Sequence, residues 1–207
     1  MKNYVAILFA TLLLFGACKK TDLPEPQEGT PAIWMKCKMN GFPFEFKVGE
    51  QNVFANNFIY TNTSSNIRQF TFRIESLDNK KSVEITFNNY NDTIGDLKSD
   101  LTNTLKTGEY RFTYSNSYPV YYFRQSEVII SYTDKEKNYK YSSIPMYQYG
   151  SSSKASFEVL SVKDAVDERG NPCKLAEVKF SCNVKCIDNG NQYIVSDGHA
   201  VLPFSGF

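Results

Sequence analysis

The longest alternating run in the chain, Ala176 to Cys186, restricts the possible folds more than any other feature. Every second residue in it is apolar, namely Ala176, Val178, Phe180, Cys182, Val184 and Cys186. The residues between them are polar or charged. Because successive side chains of a β-strand point to opposite faces, this run predicts an antiparallel strand with one buried and one solvated face.

Shorter patterns of the same kind predict hairpins on both sides of this run. Asn40-Gly41 separates two alternating segments and is typical of a two-residue turn with positive φ angles. Residues 69–88 alternate on either side of a polar turn and predict a second hairpin. Residues 193–204 return along the long strand, and Asp197-Gly198 within them predicts a β-bulge.

The number and spacing of these segments indicate an all-β fold. Aromatic residues make up 15% of the chain, a composition that favours strands. About ten short strands with short turns predict a β-sandwich of two antiparallel sheets. A lipocalin-like barrel is the alternative, since alternation does not show whether a sheet closes. A spacing of four residues between Leu97, Leu101 and Leu105 predicts, in addition, a short amphipathic helix near residues 96–106.

The amino-terminal residues predict export. Lys2 precedes an apolar run from Tyr4 to Phe15 that ends in Gly16-Ala17. A run of about a dozen residues is too short for a membrane span, which needs roughly 20. Residues 1–17 therefore predict a cleaved signal peptide.

The residues before Cys18 resemble the lipobox of bacterial lipoproteins, with Leu14 four positions earlier and small residues directly before the cysteine. The resemblance implies diacylation of Cys18, with palmitate-type chains, and permanent attachment to a bilayer. Lys19 stands where an aspartate would retain a lipoprotein at the inner membrane, which favours the outer membrane. The sequence does not decide between its periplasmic face and its surface face. An ordinary signal followed by an incidental cysteine is the alternative.

The segment after Cys18 predicts a tether to a single domain. Residues 18–31 contain Pro24, Pro26 and Pro31 among polar residues, which is typical of a disordered linker. At about 3.1 Å per residue such a linker reaches at most roughly 40 Å. Residues 32–207 have the length of one β domain with its own core.

Charge excludes some classes of partner. Without residues 1–17 the chain loses one of its 23 basic residues and has 22 against 22 acidic residues. Nucleic acid and anionic lipid surfaces require a basic excess on one face, so neither is an expected partner. The expected membrane contact is the lipid anchor.

The four cysteines after Cys18 restrict the disulfides. Cys182 and Cys186 would lie roughly 13 Å apart on one strand and Cys173 farther away, whereas a disulfide needs Cα atoms within about 7 Å. Only Cys37 remains as a partner, which predicts a disulfide of Cys37 with Cys182 or Cys186. The cysteine spacing does not match a zinc site, and neither a metal nor a cofactor is predicted.

No catalytic residue stands out. His199 is the only histidine and no nucleophile-elbow sequence accompanies it, so a surface or edge histidine is expected. Two carboxylates from distant strands could form a glycosidase pair that spacing does not reveal. Most acidic residues, such as Glu84 and Glu177, fall on the solvent side of alternating strands. We therefore expect a chain without enzymatic activity.

Tyrosines in residues 118–149 are the strongest indication of binding. A tyrosine ring combines an apolar face with a hydroxyl and suits sugar rings or a protein surface. The alternative is packing between neighbouring strands. The candidate binding residues are Tyr121, Tyr122, Tyr139, Tyr141, Tyr147 and Tyr149.

Two further resemblances concern exported bacterial proteins. Asp92-Thr93-Ile94 resembles the O-glycosylation motif of Bacteroides-type exported proteins, with Thr93 as the acceptor, and a plain turn is the alternative. Residues 38–41, 107–110 and 196–200 resemble segments of uncharacterised Bacteroides-type lipoproteins of a domain-of-unknown-function family. That resemblance implies an all-β exported lipoprotein and no particular activity.

Together these features predict a non-enzymatic binding or accessory module, anchored at the outer membrane, for glycan or another envelope protein. Two alternatives stay open. One is a glycan-active hydrolase using two carboxylates, and the other is a structural or pilus-like assembly subunit.

Overall fold

The structure is a computed structural model that describes residues 32–50, 52–63, 67–78, 80–90, 95–112, 127–143, 155–167, 170–186 and 188–205. The described part contains eleven strands and one helix: β1 (Trp34–Met39), β2 (Phe42–Lys47), β3 (Val53–Asn62), β4 (Ile67–Ser76), β5 (Lys81–Tyr90), α1 (Leu97–Thr104), β6 (Gly108–Phe112), β7 (Glu127–Asp134), β8 (Tyr139–Ser143), β9 (Ser156–Val166), β10 (Pro172–Cys186) and β11 (Gln192–Ser205). The predicted all-β class is confirmed.

One eleven-stranded sheet contains all of these strands. Its order is β2-β1-β11-β10-β9-β6-β7-β5-β4-β3, and β8 pairs with both β10 and β7. The β6–β7 pair is parallel, and the other pairs are antiparallel. The sheet folds over itself in a sandwich-like or barrel-like arrangement with one core.

Aromatic contacts show how the two halves of the sheet enclose the core. The rings of Phe72 on β4 and Phe204 on β11 have centroids 6.3 Å apart. Phe87 on β5 lies 5.5 Å from Phe157 on β9, and Phe44 on β2 lies 5.8 Å from Tyr132 on β7. Since each pair joins strands that are not neighbours in the sheet, the halves pack face to face.

The local turn predictions are confirmed. Asn40 and Gly41 have φ angles of 50° and 84°, as the tight β1–β2 turn requires. Strands β4 and β5 form a hairpin whose register does not shift. Strand β11 carries one extra residue between Val195 and Gly198 relative to β10, and Asp197 there has a φ of 53°, which is the predicted bulge.

Strand β10 is the predicted long alternating strand, and buried residues alternate along it from Ala176 to Cys186. It carries Cys173, Cys182 and Cys186, as expected. These three and Cys37 are free and buried, so the predicted disulfide of Cys37 with Cys182 or Cys186 is not formed. The reason is strand order: β11 lies between β1 and β10, which separates them by about 9–10 Å, beyond disulfide reach.

Helix α1 confirms the helix predicted near residues 96–106. Asp96 caps it, since its side chain accepts a hydrogen bond from the backbone N–H of Ser99 at 3.0 Å. Leu101 and Leu105 enter the hydrophobic core. Asp100 forms a buried ion pair with Arg68 of β4, so both apolar and charged contacts hold the helix against the sheet.

Several predictions lie outside the described residues. They are the signal peptide, the lipid attachment at Cys18, the linker and the O-glycosylation at Thr93. No helix in the described ranges is long and apolar enough to span a membrane.

Candidate binding groove

The tyrosines predicted to bind a partner are not presented together by the described residues. Tyr141 is only 2% exposed and belongs to the core, so the prediction that it forms part of a binding surface is wrong. Tyr139 is half-buried and packs edge-on against Tyr141 at 6.5 Å. Tyr121, Tyr122, Tyr147 and Tyr149 lie outside the described residues.

Strand pairing explains why Tyr141 is buried. Strand β8 bridges β7 and β10, and its alternation directs Tyr141 inward between Tyr132 and Tyr193, at centroid distances of 5.6 and 4.7 Å. Burial raises the pKa of Tyr132 and of Tyr141 above the ordinary phenol value of 10. These phenols therefore stay neutral, and their rings pack in the hydrophobic core.

A surface groove of about 1000 Å³ lies on four neighbouring strands, β6, β9, β10 and β11. Buried aromatic residues contribute to its lining, namely Tyr110, Phe112, Phe157 and Phe180. Its polar and charged lining consists of Glu109, Arg111, Ser156, Glu158, Lys179, Ser181 and Asp197. Along these strands the charged residues are exposed and the aromatic residues between them are buried, so the charged side chains and the aromatic rings lie on opposite faces of the sheet.

Strand register brings the charged residues into one row. Glu158 of β9 is directly opposite Glu109 of β6 on one side and Lys179 of β10 on the other. Lys179 is in turn opposite His199 of β11. Directly opposite side chains have Cβ atoms about 4.5–5.5 Å apart, so four neighbouring side chains share one face.

The two neighbouring carboxylates are the unusual feature of this row. Glu109 and Glu158 are both exposed, and neither forms a salt bridge with another described residue. Like charges directly opposite each other destabilise a sheet. Arg111 and Lys179 supply the positive charge of the same groove, without a direct ion pair to either acid.

Gly198 sets the shape of the groove beside this row. A β-carbon on Gly198 would lie 2.6 Å from the backbone oxygen of Phe180, and closer still to the Phe180 ring. The missing side chain therefore lets that ring lie against β11. The ring also stacks on Phe157, with centroids 6.1 Å apart, which fixes two aromatic side chains of the lining.

His199 belongs to a polar contact at the end of the row. Its Nε2 lies 2.8 Å from Oε1 of Glu177, and its ring meets Trp34 edge-on at 4.8 Å. The ammonium group of Lys36 lies 5.3 Å from the centre of the Trp34 ring. The only histidine of the chain is thus held by an acid and an aromatic ring, without a nucleophile among these contacts.

Sequence reasoning did not identify the groove residues. Glu109, Glu158 and Lys179 belong to three strands that are far apart in the chain, so only strand pairing brings them together. The signal in the sequence was limited to their outward positions in alternating segments.

Within the described ranges, no three His, Cys, Asp or Glu side chains are grouped so as to hold a metal ion. No protein-family model, curated protein or solved structure matches the chain. The chemistry of the groove therefore rests on its own residues.

Proposed function

We propose that this chain is a lipid-anchored binding module of the outer membrane that holds a glycan in the groove on β6, β9, β10 and β11. The observation that carries the proposal is the composition of the groove. Carboxylates, a guanidinium, an ammonium group and hydroxyls line about 1000 Å³ of open space.

These groups match the hydrogen bonding of sugars. Glu109 and Glu158 accept hydrogen bonds from sugar hydroxyls, whereas Arg111 and Lys179 donate to hydroxyl and ring oxygens. Ser156 and Ser181 are opposite each other on β9 and β10 and do both. The groove therefore offers both a hydrogen-bond acceptor and a hydrogen-bond donor to each sugar hydroxyl.

The charge balance supports an uncharged ligand. The lining contains two acidic residues, Glu109 and Glu158, and two basic residues, Arg111 and Lys179, whose charges are equal in number. Asp197 is already paired with Lys38 at 2.9 Å. Because the described lining residues leave no excess of either sign, a neutral polyhydroxylated chain fits better than a polyphosphate or another polyanion.

The sequence supports the proposed location. The signal peptide of residues 1–17, Cys18 and the polar linker of residues 18–31 together form the layout of an anchored, tethered domain. On a linker of at most roughly 40 Å the groove would stay close to the membrane. The resemblance to Bacteroides-type exported lipoproteins agrees with this layout.

The proposal is tested by titrating neutral oligosaccharides into the full chain in mild detergent. We expect Glu158→Ala and Lys179→Ala each to raise the dissociation constant at least tenfold without changing the melting temperature. Glu136→Ala, an exposed acid of the β7–β8 turn, is the matched control and should bind normally. Equal binding by all variants would refute the groove, and capture of an envelope protein in place of sugars would change the ligand class.

A second candidate, a glycan hydrolase, rests on Glu109 and Glu158 alone. Retaining glycosidases place two carboxyl groups about 5–5.5 Å apart, and directly opposite residues on neighbouring strands reach a similar Cβ separation. Against it, both side chains are exposed, whereas such active sites exclude water. Release of reducing ends that is abolished by both Glu109→Gln and Glu158→Gln would favour the hydrolase over the binding module.

A structural or pilus-like subunit is the third candidate. Concentration-dependent polymers that form once the amino-terminal segment has been removed would favour it over the binding module.

A further inference from the structure

Strand β3 is one end of the eleven-stranded sheet. Within the described ranges it pairs only with β4, over ten residues from Val53 to Asn62 and without a register shift. Its outer edge therefore belongs to a long, regular strand. Backbone N–H and C=O groups along such an edge are available for a further strand.

This edge lacks the usual protection against pairing. Natural edge strands are short or carry lysine, proline or a bulge. The other edge strand, β2, has six residues and includes Pro43, Glu45 and Lys47. Strand β3, with the sequence VFANNFIYTN, contains neither a charged residue nor a proline.

The outward face of β3 is also unusually apolar. Phe54 and Phe58 are each 48% exposed and Tyr60 is 58% exposed, and all three alternate with residues that face the core. Aromatic side chains opposite each other on neighbouring strands stabilise a sheet. An added strand that supplied aromatic residues at matching positions would therefore cover this stripe.

We propose that a second copy of this chain adds to the sheet through β3, antiparallel to the first and related to it by a two-fold axis at Asn57. A second copy fits because β3 carries no charge, so the two-fold axis brings no like charges together. Phe54 of each copy then lies opposite Tyr60 of the other, and Ala55 lies opposite Ile59.

The unpaired amide of Asn57 selects this register. Its Nδ2 donates to Oγ of Ser205 at 3.2 Å, whereas its Oδ1 is buried without a hydrogen-bond partner. Burying an acceptor without a partner is costly. With the axis at Asn57 the two Asn57 side chains are opposite each other, and a rotation that brings each amide out of the interior lets its Oδ1 accept an Nδ2 hydrogen from the other copy.

Neighbouring registers do not satisfy that amide. Opposite residues of an antiparallel pair share one face of the sheet, so the axis must pass through a residue. Moving it to Asn56 places Asn57 opposite Ala55, and moving it to Phe58 places Asn57 opposite Ile59. Neither of these side chains offers a hydrogen bond, which leaves Asn57 as the only axis position that places another amide opposite the Asn57 amide.

Sedimentation of the full chain in mild detergent tests the interface. We expect a monomer–dimer equilibrium, with Phe58→Lys raising the dimer dissociation constant at least tenfold at an unchanged melting temperature. Phe42→Lys is the matched control, because Phe42 is 76% exposed on the protected edge strand β2. This variant should dimerise with the same dissociation constant as the native chain. A chain that stays monomeric at all concentrations, or a dimer indifferent to Phe58→Lys, would overturn the proposal.

Cross-linking tests the register separately. The double variant F54C/Y60C should form a covalent dimer with oxidised glutathione as oxidant, since each new cysteine faces its partner across the axis. F54C alone should not, because the two copies of position 54 lie roughly 20 Å apart in this register. Cross-linking of F54C alone at the same rate as the double variant would refute the axis at Asn57.

Discussion

The guanidinium of Arg68 on β4 and the carboxylate of Asp100 on α1 form an ion pair in the interior, where their side chains are 9% and 4% exposed. Arg68 also donates to the backbone oxygen of Gly95 at 3.0 Å. This pair attaches α1 and the residue before its cap to the sheet.

Asp100→Asn should therefore destabilise the fold strongly. Removing one partner of a buried ion pair leaves the other charge uncompensated and costs about 3–5 kcal/mol. Denaturant unfolding measures the loss. Lys135→Ala is the comparison, since Lys135 pairs with Glu75 near the surface and should cost about 1 kcal/mol or less. Equal losses for the two variants would contradict the role of Arg68 and Asp100.

Gly198→Ala should destabilise the protein by about 1–3 kcal/mol because the added methyl group overpacks the site beside Phe180. A double-mutant cycle with Phe180→Leu checks the cause by denaturant unfolding. If the ring is the obstacle, the two changes couple by about 0.5–3 kcal/mol. Strictly additive losses would mean that the Phe180 ring does not restrict Gly198.

The stability of the fold should fall at alkaline pH. Burial raises the pKa of the Cys37 thiol from its ordinary 9.0 to about 12. Between these values the unfolded chain releases the thiol proton while the folded chain keeps it. The free energy of unfolding therefore decreases as pH rises, by up to about 1.4 kcal/mol per pH unit for one thiol.

Unfolding curves of the native chain and of Cys37→Ala, recorded from pH 8 to 12, check this sign. The native chain should lose more stability over that range than the variant does. Below about pH 9 the titration of Cys37 should not change the free energy of unfolding with pH. Curves that remain parallel would show that the Cys37 thiol is not shielded from solvent.

Cys18→Ser should abolish incorporation of labelled palmitate and release the protein from the membrane fraction, because the thiol is the proposed attachment point. A thiol count on denatured, unreduced protein gives an independent result. With Cys18 acylated, the four free cysteines, Cys37, Cys173, Cys182 and Cys186, should react. Palmitate labelling that persists in Cys18→Ser would refute the anchor.

Predictions that depend on neighbouring residues were confirmed. Three examples depend only on residues that are close together in the chain. They are the Asn40-Gly41 turn, the alternation from Ala176 to Cys186 and the capped helix after Asp96. Backbone sterics and the burial of one face act over that short range, so the sequence shows them directly.

Predictions that required strand order were less successful. The disulfide of Cys37 with Cys182 or Cys186 presupposed neighbouring strands, but β11 lies between β1 and β10. Tyr141 was expected at a surface, yet β8 fills the space between β7 and β10 and directs Tyr141 inward. In both cases the missing information was which distant segments pair.

The all-β class, the hairpin turns and the alternating faces could be read from the sequence, because they depend on local conformation and on the period of two residues. That Glu109, Glu158 and Lys179 form one row, and that Asn57 lies in an uncharged edge strand, became evident from the pairing of distant strands. Strand register arises from the packing of whole faces against each other. No short segment of the chain specifies that packing.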